Sequence, residues 1–143
     1  MPEFIMPLAD VTEGREFHGL DEFTRGYVEA IFFTECHSDN PELEDCTFGD
    51  LAPETLARIV EDCADFQKSL GHLLARAHEQ AELAGRAYSE SSGGIDFWLT
   101  RNGHGAGFWD RGLGAVGDEL TAMAKPYGSC DLYKGDNGKL YLA

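Results

Sequence analysis

Long apolar runs, a secretory leader and paired cysteine motifs are all missing from this 143-residue sequence. No stretch approaches the 18 or so apolar residues that a membrane span needs. Ala30-Ile31-Phe32-Phe33 is among the longest apolar runs. The N-terminus lacks a basic region followed by an apolar stretch, which argues against a secretory signal. Residues 1–5, ahead of Met6, read as a cloning remnant or an alternative start. The cysteines at 36, 46, 63 and 130 form no C-x-x-C pair. Cys36, His37 and Cys46 have the residue types of a zinc site, but not its ligand spacing. Reduced, mostly buried thiols in a cytoplasmic protein are expected instead, with Cys63 on the apolar face of a helix.

Basic residues are the other scarcity. The chain carries 11 Lys and Arg against 26 Asp and Glu, a net charge of −15. The imbalance sits in one half: residues 1–65 hold 17 acidic and 3 basic side chains, whereas residues 66–143 hold 9 and 8. Such a field repels nucleic acid and anionic membranes and attracts basic surfaces. Direct DNA or RNA binding and membrane association are therefore not expected. Residues 35–50 contain six carboxylates and no Lys or Arg. The run Asp39-Asn40-Pro41-Glu42-Leu43-Glu44-Asp45 has neither the alternating ligands nor the glycine of a calcium loop, so it reads as an acidic loop.

A chain of this length is expected to form a single domain, 1–143, able to bury a sizeable core without staples. Its first 88 residues read as an acidic helical part. Residues 7–20 look irregular, and Asp21 then suits the N-cap of a helix to about Glu35, with Phe23, Tyr27, Ala30 and Ile31 at helical spacing. Pro53 suits the first position of a second helix. Its stripe of Leu56, Ile59, Val60, Cys63, Phe66, Leu70, Leu73, Leu74 and Ala77 runs to about Leu83-Ala84, before Gly85. Thirty-odd residues reach roughly 45–50 Å, so a kink is expected, with Gly71 the obvious place. His72 and His78 read as ordinary surface or boundary residues.

After a polar linker at 89–94, the period changes to two residues and the reading becomes β-β-α-β-β over 94–143. Asn102-Gly103-His104-Gly105 between aromatic runs reads as a hairpin turn, because Asn-Gly is a strong hairpin signal. Alternation places Phe97, Leu99, Arg101, Ala106 and Phe108 on one face. Asp96, Trp98, Thr100 and Trp109 fall on the other, whether the loop has two residues or four; the four-residue loop also sets Trp98 opposite Trp109, and the Trp face is a second packed layer or a partner surface. A short amphipathic helix follows from Leu113, Val116, Leu120 and Met123, ended by Pro126 and Gly128. A second hairpin turns at Gly135-Asp136-Asn137-Gly138. The expected fold is thus α+β, with helices at about 21–35 and 53–84 packed on a small antiparallel sheet of 95–101, 106–110, 129–134 and 139–142.

The run Asp96-Phe97-Trp98-Leu99-Thr100-Arg101-Asn102-Gly103-His104-Gly105-Ala106-Gly107-Phe108-Trp109-Asp110-Arg111 resembles a group of small uncharacterised proteins of tailed phages and prophages. The likeness extends to Asp131-Leu132-Tyr133 and Lys139-Leu140-Tyr141, and more loosely to Asn40-Pro41-Glu42-Leu43. The resemblance implies a phage accessory protein in a bacterial cytoplasm and brings no particular activity with it.

Two classes of function then compete. In the first, the protein is a non-enzymatic acidic binding module that occupies a basic surface of a host protein, including one made for nucleic acid, as a DNA mimic or host-defence inhibitor would. Its carboxylates would come from Asp21, Glu22, Glu29, Glu42, Glu44, Asp45, Glu54, Glu61, Asp62 and Asp65, with Trp98 and Trp109 as aromatic contacts. The second class is an enzyme with a site around Arg101, His104, Asp110 and Arg111. Against it, Asp110 lies up to about 13 Å from the loop tip, at about 3.3 Å per strand residue. No Ser or Cys nucleophile is near in sequence, and P-loop, Rossmann and His-Glu-x-x-His patterns are absent. No metal or cofactor is expected. A phage structural component is a further class, but no coiled coil or repeat supports it.

Overall fold

The computed structural model describes residues 4–143; Met1, Pro2 and Glu3, part of the segment read as a remnant or alternative start, lie outside the described residues. The protein is mostly helical, with a small C-terminal antiparallel sheet of two strands, which is the expected α+β class at its coarser level. Among the described residues, no helix is long and apolar enough to cross a membrane.

The N-terminal region expected to be irregular holds a helix, α1 (Val11–His18). Asp10 caps it by accepting the Glu13 amide, and Glu13 in turn accepts from the amides of Ala9 and Gly49. Helix α2 (Glu22–Glu35) starts as its sequence indicates, with Asp21 accepting the Thr24 amide at 2.8 Å. Helix α3 (Pro53–Leu83) has Pro53 in its first turn and spans 31 residues, about 46 Å. It kinks at Leu70, whose φ of −120° and ψ of 17° leave the helical region, one residue before the glycine expected to break it. Gly85, at φ +71°, follows its C-terminus.

The first hairpin does not form. Residues expected as strand 95–101 belong to a helix, α4 (Glu90–Arg101), and 106–110 is a loop with one 3-10 turn, Phe108–Asp110. The β-β-α-β-β order is corrected to α-α-β-β. Two local features decide it. Ser89 accepts the Ser92 amide while the Ser92 hydroxyl accepts the Ser89 amide, a reciprocal cap inside the stretch read as a linker. At the other end Gly103 adopts φ +68°, its amide bonds the Thr100 carbonyl at 3.2 Å and the His104 amide bonds the Leu99 carbonyl at 3.0 Å. These are the two bonds of a Schellman helix stop. Asn-Gly supplies the left-handed residue that a hairpin turn or a helix stop both require, and here it stops a helix.

Helices α2 and α4 pack more extensively on each other than any other pair, backbone against backbone. A Cβ on Gly94 would sit inside the Phe23 carbonyl, and one on Gly26 would collide with the Ser91 carbonyl. Gly93 and Gly94 are therefore a crossing point and not a flexible joint. The close approach drives Phe97 and Trp98 into the core. Phe97 stacks on Phe66 of α3 at 4.1 Å between centroids, and Phe66 stacks on Phe108 at 5.8 Å. Trp98 meets Tyr27 edge-on at 5.4 Å.

Helix α5 (Ala115–Ala124) buries Val116 and Leu120 and ends in a 3-10 turn at Lys125–Tyr127. The second hairpin forms as expected, from β1 (Leu132–Lys134) and β2 (Leu140–Leu142), with Tyr133 opposite Tyr141. Its inner side carries Leu132 and Leu140, both buried. The hairpin is fastened to the start of α3: the Leu140 carbonyl accepts from the Ala52 amide at 3.1 Å and the Thr55 hydroxyl at 2.9 Å.

Candidate functional site

The run 96–111 is divided: Asp96, Phe97, Trp98, Thr100, Arg101, Gly107 and Phe108 are buried, whereas 103–105, Trp109 and Asp110 are exposed. Arg101, expected on a sheet face near a reactive loop, is buried, with a side chain 2% exposed. Its guanidinium donates to the Gly128 and Tyr127 carbonyls (both 2.8 Å), the Tyr27 hydroxyl (3.1 Å) and Asp62 Oδ2 (2.9 Å). Its charge also lies 5.8 Å from the Phe97 ring centroid. Burial alone would lower its pKa, but Tyr27 and Asp62 outweigh burial and raise it further. Burial likewise pushes the Tyr27 hydroxyl well above the usual tyrosine range. Arg101 is a structural cation with its hydrogen-bonding capacity engaged.

Arg111 has a similar fate. Its Nη2 donates to Asp96 Oδ1 at 2.8 Å and its Nε reaches both carboxylate oxygens, while the Tyr88 hydroxyl donates to Oδ2 at 2.7 Å. The hydrogen bond to Asp96, with that carboxylate's charge, raises the Arg111 pKa. Asp96 is 1% exposed and so fully enclosed by these partners. Of the expected cluster Arg101, His104, Asp110 and Arg111, Arg101 is interior and Asp110 and His104 are exposed, while His104 and Arg111 both line one groove.

Trp98 is corrected from a partner contact to a core residue. It is fully buried, and its indole N–H donates to the Thr34 hydroxyl at 2.9 Å. Trp109 is 49% exposed, and the expected cross-strand pair with Trp98 does not exist because there are no strands to carry it. Burial pushes the Cys36 thiol pKa up to about 12.

The carboxylates divide into two kinds. Asp62 is held by Arg101 and, at 3.9 Å, by Arg58, and Asp65 accepts a short hydrogen bond from the Tyr127 hydroxyl. Asp21 is engaged as a cap and also accepts from Gln67 at 3.3 Å. Burial works to raise its pKa, but the hydrogen bonds from Thr24 and Gln67 hold it below the ordinary value. Glu22, Glu42, Glu44, Asp45, Glu54 and Glu61 are exposed, and among the described residues no cation or hydrogen-bond donor holds their side chains. Glu54 and Glu61, seven residues apart on α3, face the same way. Glu42, Glu44 and Asp45 ride on successive turns. The Asn40, Leu43 and Cys46 amides each bond back three residues, and Leu43 and Cys46 are buried beneath.

The sequence reading missed a groove of about 500 Å3 between α2, α4 and the loop after α4. Ala30 and Phe33 form one wall, Ile95 and Leu99 the other, and Ala106 and His104 close one side. Glu29 and Arg111 are the remaining charged residues in the lining. Phe33, 57% exposed, stands at the edge with its ring 5.6 Å from Phe4. The signal was present in the sequence, since Phe32 and Phe33 widen the apolar stripe of α2 beyond one neighbour. The hairpin reading hid the second wall.

Compared with known proteins, the chain matches no family model, no curated protein and no solved structure.

Proposed function

We propose that this is a non-enzymatic phage accessory protein of the bacterial cytoplasm, an acidic binding module that occupies a basic surface of a host protein. A surface that otherwise holds nucleic acid is the natural target, with carboxylates standing in for phosphates. The observation that supports this reading most is the set Glu42, Glu44, Asp45, Glu54 and Glu61. These side chains are exposed and unneutralised within the fold, on a pinned loop and a helix face. Carriers ordered before binding lose little entropy on docking. The phage assignment rests on the resemblance over 96–111. An enzyme at Arg101 is disfavoured because that guanidinium is enclosed by Asp62, Tyr27 and two carbonyls.

The test is affinity capture from bacterial lysate, read by mass spectrometry at low and high salt. Exposed charges are screened over about 8 Å at physiological ionic strength, so capture of the partner should fall steeply as salt rises. Glu54→Lys with Glu61→Lys should weaken capture strongly, and Asp131→Lys with Asp136→Lys much less. Equal losses from the two pairs, or capture indifferent to salt, would mean that the charge serves solubility alone.

A further inference from the structure

The chain has two Asn-Gly pairs, Asn102-Gly103 and Asn137-Gly138, and its third asparagine, Asn40, precedes Pro41. An asparagine followed by glycine carries a latent reaction. The backbone nitrogen of the next residue gives up its proton to solvent and attacks the side-chain Cγ. The side-chain nitrogen departs as ammonia and a succinimide ring closes. Water then opens the ring to aspartate or isoaspartate, with no oxidant or reductant involved. Glycine has no side chain to hinder the attack, and proline has no N–H to give up. The fold decides whether the ring can close, because the nitrogen and Cγ must first leave the conformation that their hydrogen bonds impose.

The two pairs are held differently. Asn102 closes the end of α4: its Nδ2 donates to the Trp98 carbonyl at 2.9 Å, and its Oδ1 accepts the Cys130 amide at 2.8 Å. The Gly103 amide is committed to the Thr100 carbonyl in the helix stop. Trp98, Thr100 and Cys130 are all buried, so freeing this side chain and this nitrogen together means pulling the end of α4 from the core. Asn137 is exposed at the tip of the β1–β2 loop, and its bonds stay within that hairpin. Its Nδ2 donates to the Tyr141 hydroxyl at 2.7 Å and its Oδ1 accepts the Lys139 amide at 2.9 Å. The Gly138 amide donates to the Gly135 carbonyl at 2.9 Å. These bonds can open without disturbing the core, as those of exposed loops do. The Lys139 amide also polarises the Asn137 side-chain carbonyl, where negative charge develops during attack. We infer that Asn137 is a modification site, converted through attack of the Gly138 nitrogen into aspartate and isoaspartate, whereas the fold protects Asn102 in the same dipeptide. Either product adds a carboxylate at the hairpin tip. Isoaspartate also routes the chain through the side chain and lengthens the turn by one methylene.

The full chain is incubated in mildly alkaline buffer, once folded and once in urea, and sampled over time. Peptide mapping by tandem mass spectrometry reads the exchange of –NH2 for –OH at each asparagine. Labelling by an isoaspartyl methyltransferase reads the isoaspartate. In the folded protein Asn137 should convert roughly tenfold faster than Asn102 or more, because only Asn102 needs part of the core to open. In urea the two should convert at similar rates, since the protecting fold is gone. Asn137→Gln, whose longer side chain disfavours ring closure, should remove most of the isoaspartyl signal from the folded protein, with circular dichroism confirming that the variant folds. Equal rates at the two sites in the folded protein, or a faster Asn102, would overturn the protection of Asn102. An Asn137 that stays intact in the folded chain would overturn the site. An isoaspartyl signal that survives Asn137→Gln at full strength would overturn it as well.

Discussion

Arg101 and Asp62, 39 residues apart in sequence, form a 2.9 Å ion pair that ties α4 to α3 inside the fold. Both were sequence candidates for function, one as catalytic and one as a docking carboxylate, and each occupies the other. Replacing Arg101 with Met should cost about 3–5 kcal/mol, because it strands Asp62, the Tyr27 hydroxyl and two carbonyls. Asp62→Asn keeps an acceptor in place but removes the counter-charge of Arg101, and should cost less, about 1.5–3 kcal/mol. Urea denaturation measures both. Full stability in the Arg101 variant would reopen a functional role for it.

Two glycines should respond oppositely to the same change. Gly94→Ala places a methyl group against the Phe23 carbonyl, and α2 and α4 must separate to admit it. Overpacking of this kind costs about 1–3 kcal/mol or more, which outweighs the roughly 1 kcal/mol that alanine gains in helix propensity. Gly71 lies inside α3, and a Cβ there would meet nothing within 4 Å. Gly71→Ala should therefore stabilise the protein by about 0.4–1 kcal/mol. Thermal melts of the two variants should move in opposite directions.

The tryptophans distinguish a helix from a hairpin in solution. In a hairpin Trp98 and Trp109 would share an environment. In this fold Trp98 is enclosed and Trp109 is 49% exposed. Iodide should quench only part of the emission. Trp109→Phe should leave a blue-shifted signal that iodide barely touches, and uniform quenching of the wild type would contradict the position of α4.

Two carboxylates give opposite pH dependences. Asp21 titrates below its ordinary value when folded, so its contribution is present above the unfolded pKa, about 3.9, and is lost as pH falls through the folded pKa. Asp21→Ala should cost about 1 kcal/mol near neutrality, the usual value of an N-cap, and the cost should shrink in acid. Burial, with Asp131 nearby, raises the Glu35 pKa instead. Its contribution is fullest below the unfolded value, about 4.3, and is lost as pH rises through the folded pKa. Glu35→Gln should raise the melting temperature near pH 7 and change it little near pH 4.

What the sequence made legible follows from which signals have one meaning. Pro53 and a nine-member apolar stripe admit little but a long helix, and α3 is where they place it. Gly-Asp-Asn-Gly between Leu-Tyr-Lys and Leu-Tyr-Leu yields the β1–β2 hairpin for the same reason. Asn102-Gly103 has two meanings, because positive φ serves a turn and a helix stop alike. The stretch Phe97 to Arg101 also satisfies both periods, with Phe97, Trp98 and Arg101 as good a helical stripe as Phe97, Leu99 and Arg101 are a strand face. The deciding evidence was Ser89 with Ser92, a cap hidden in what reads as a linker. Helix α1 was signalled by Asp10 and Glu13, three residues apart. For the site, exposed and engaged carboxylates look identical in sequence. Only the fold separates Glu54 and Glu61 from Asp62, and only the fold brings Phe33 beside Leu99.

The glycine crossing of α2 and α4 also bears on how quickly anything can enter the groove those helices flank. Their backbones touch at Gly26 and Gly94, so at the crossing itself no side chains stand between the two helices to slide or repack. Anything entering would meet a slot already open, so its arrival rate would be set by diffusion and orientation and not by a rearrangement of the protein. Differences in residence time among visitors then report the fit of their own side chains.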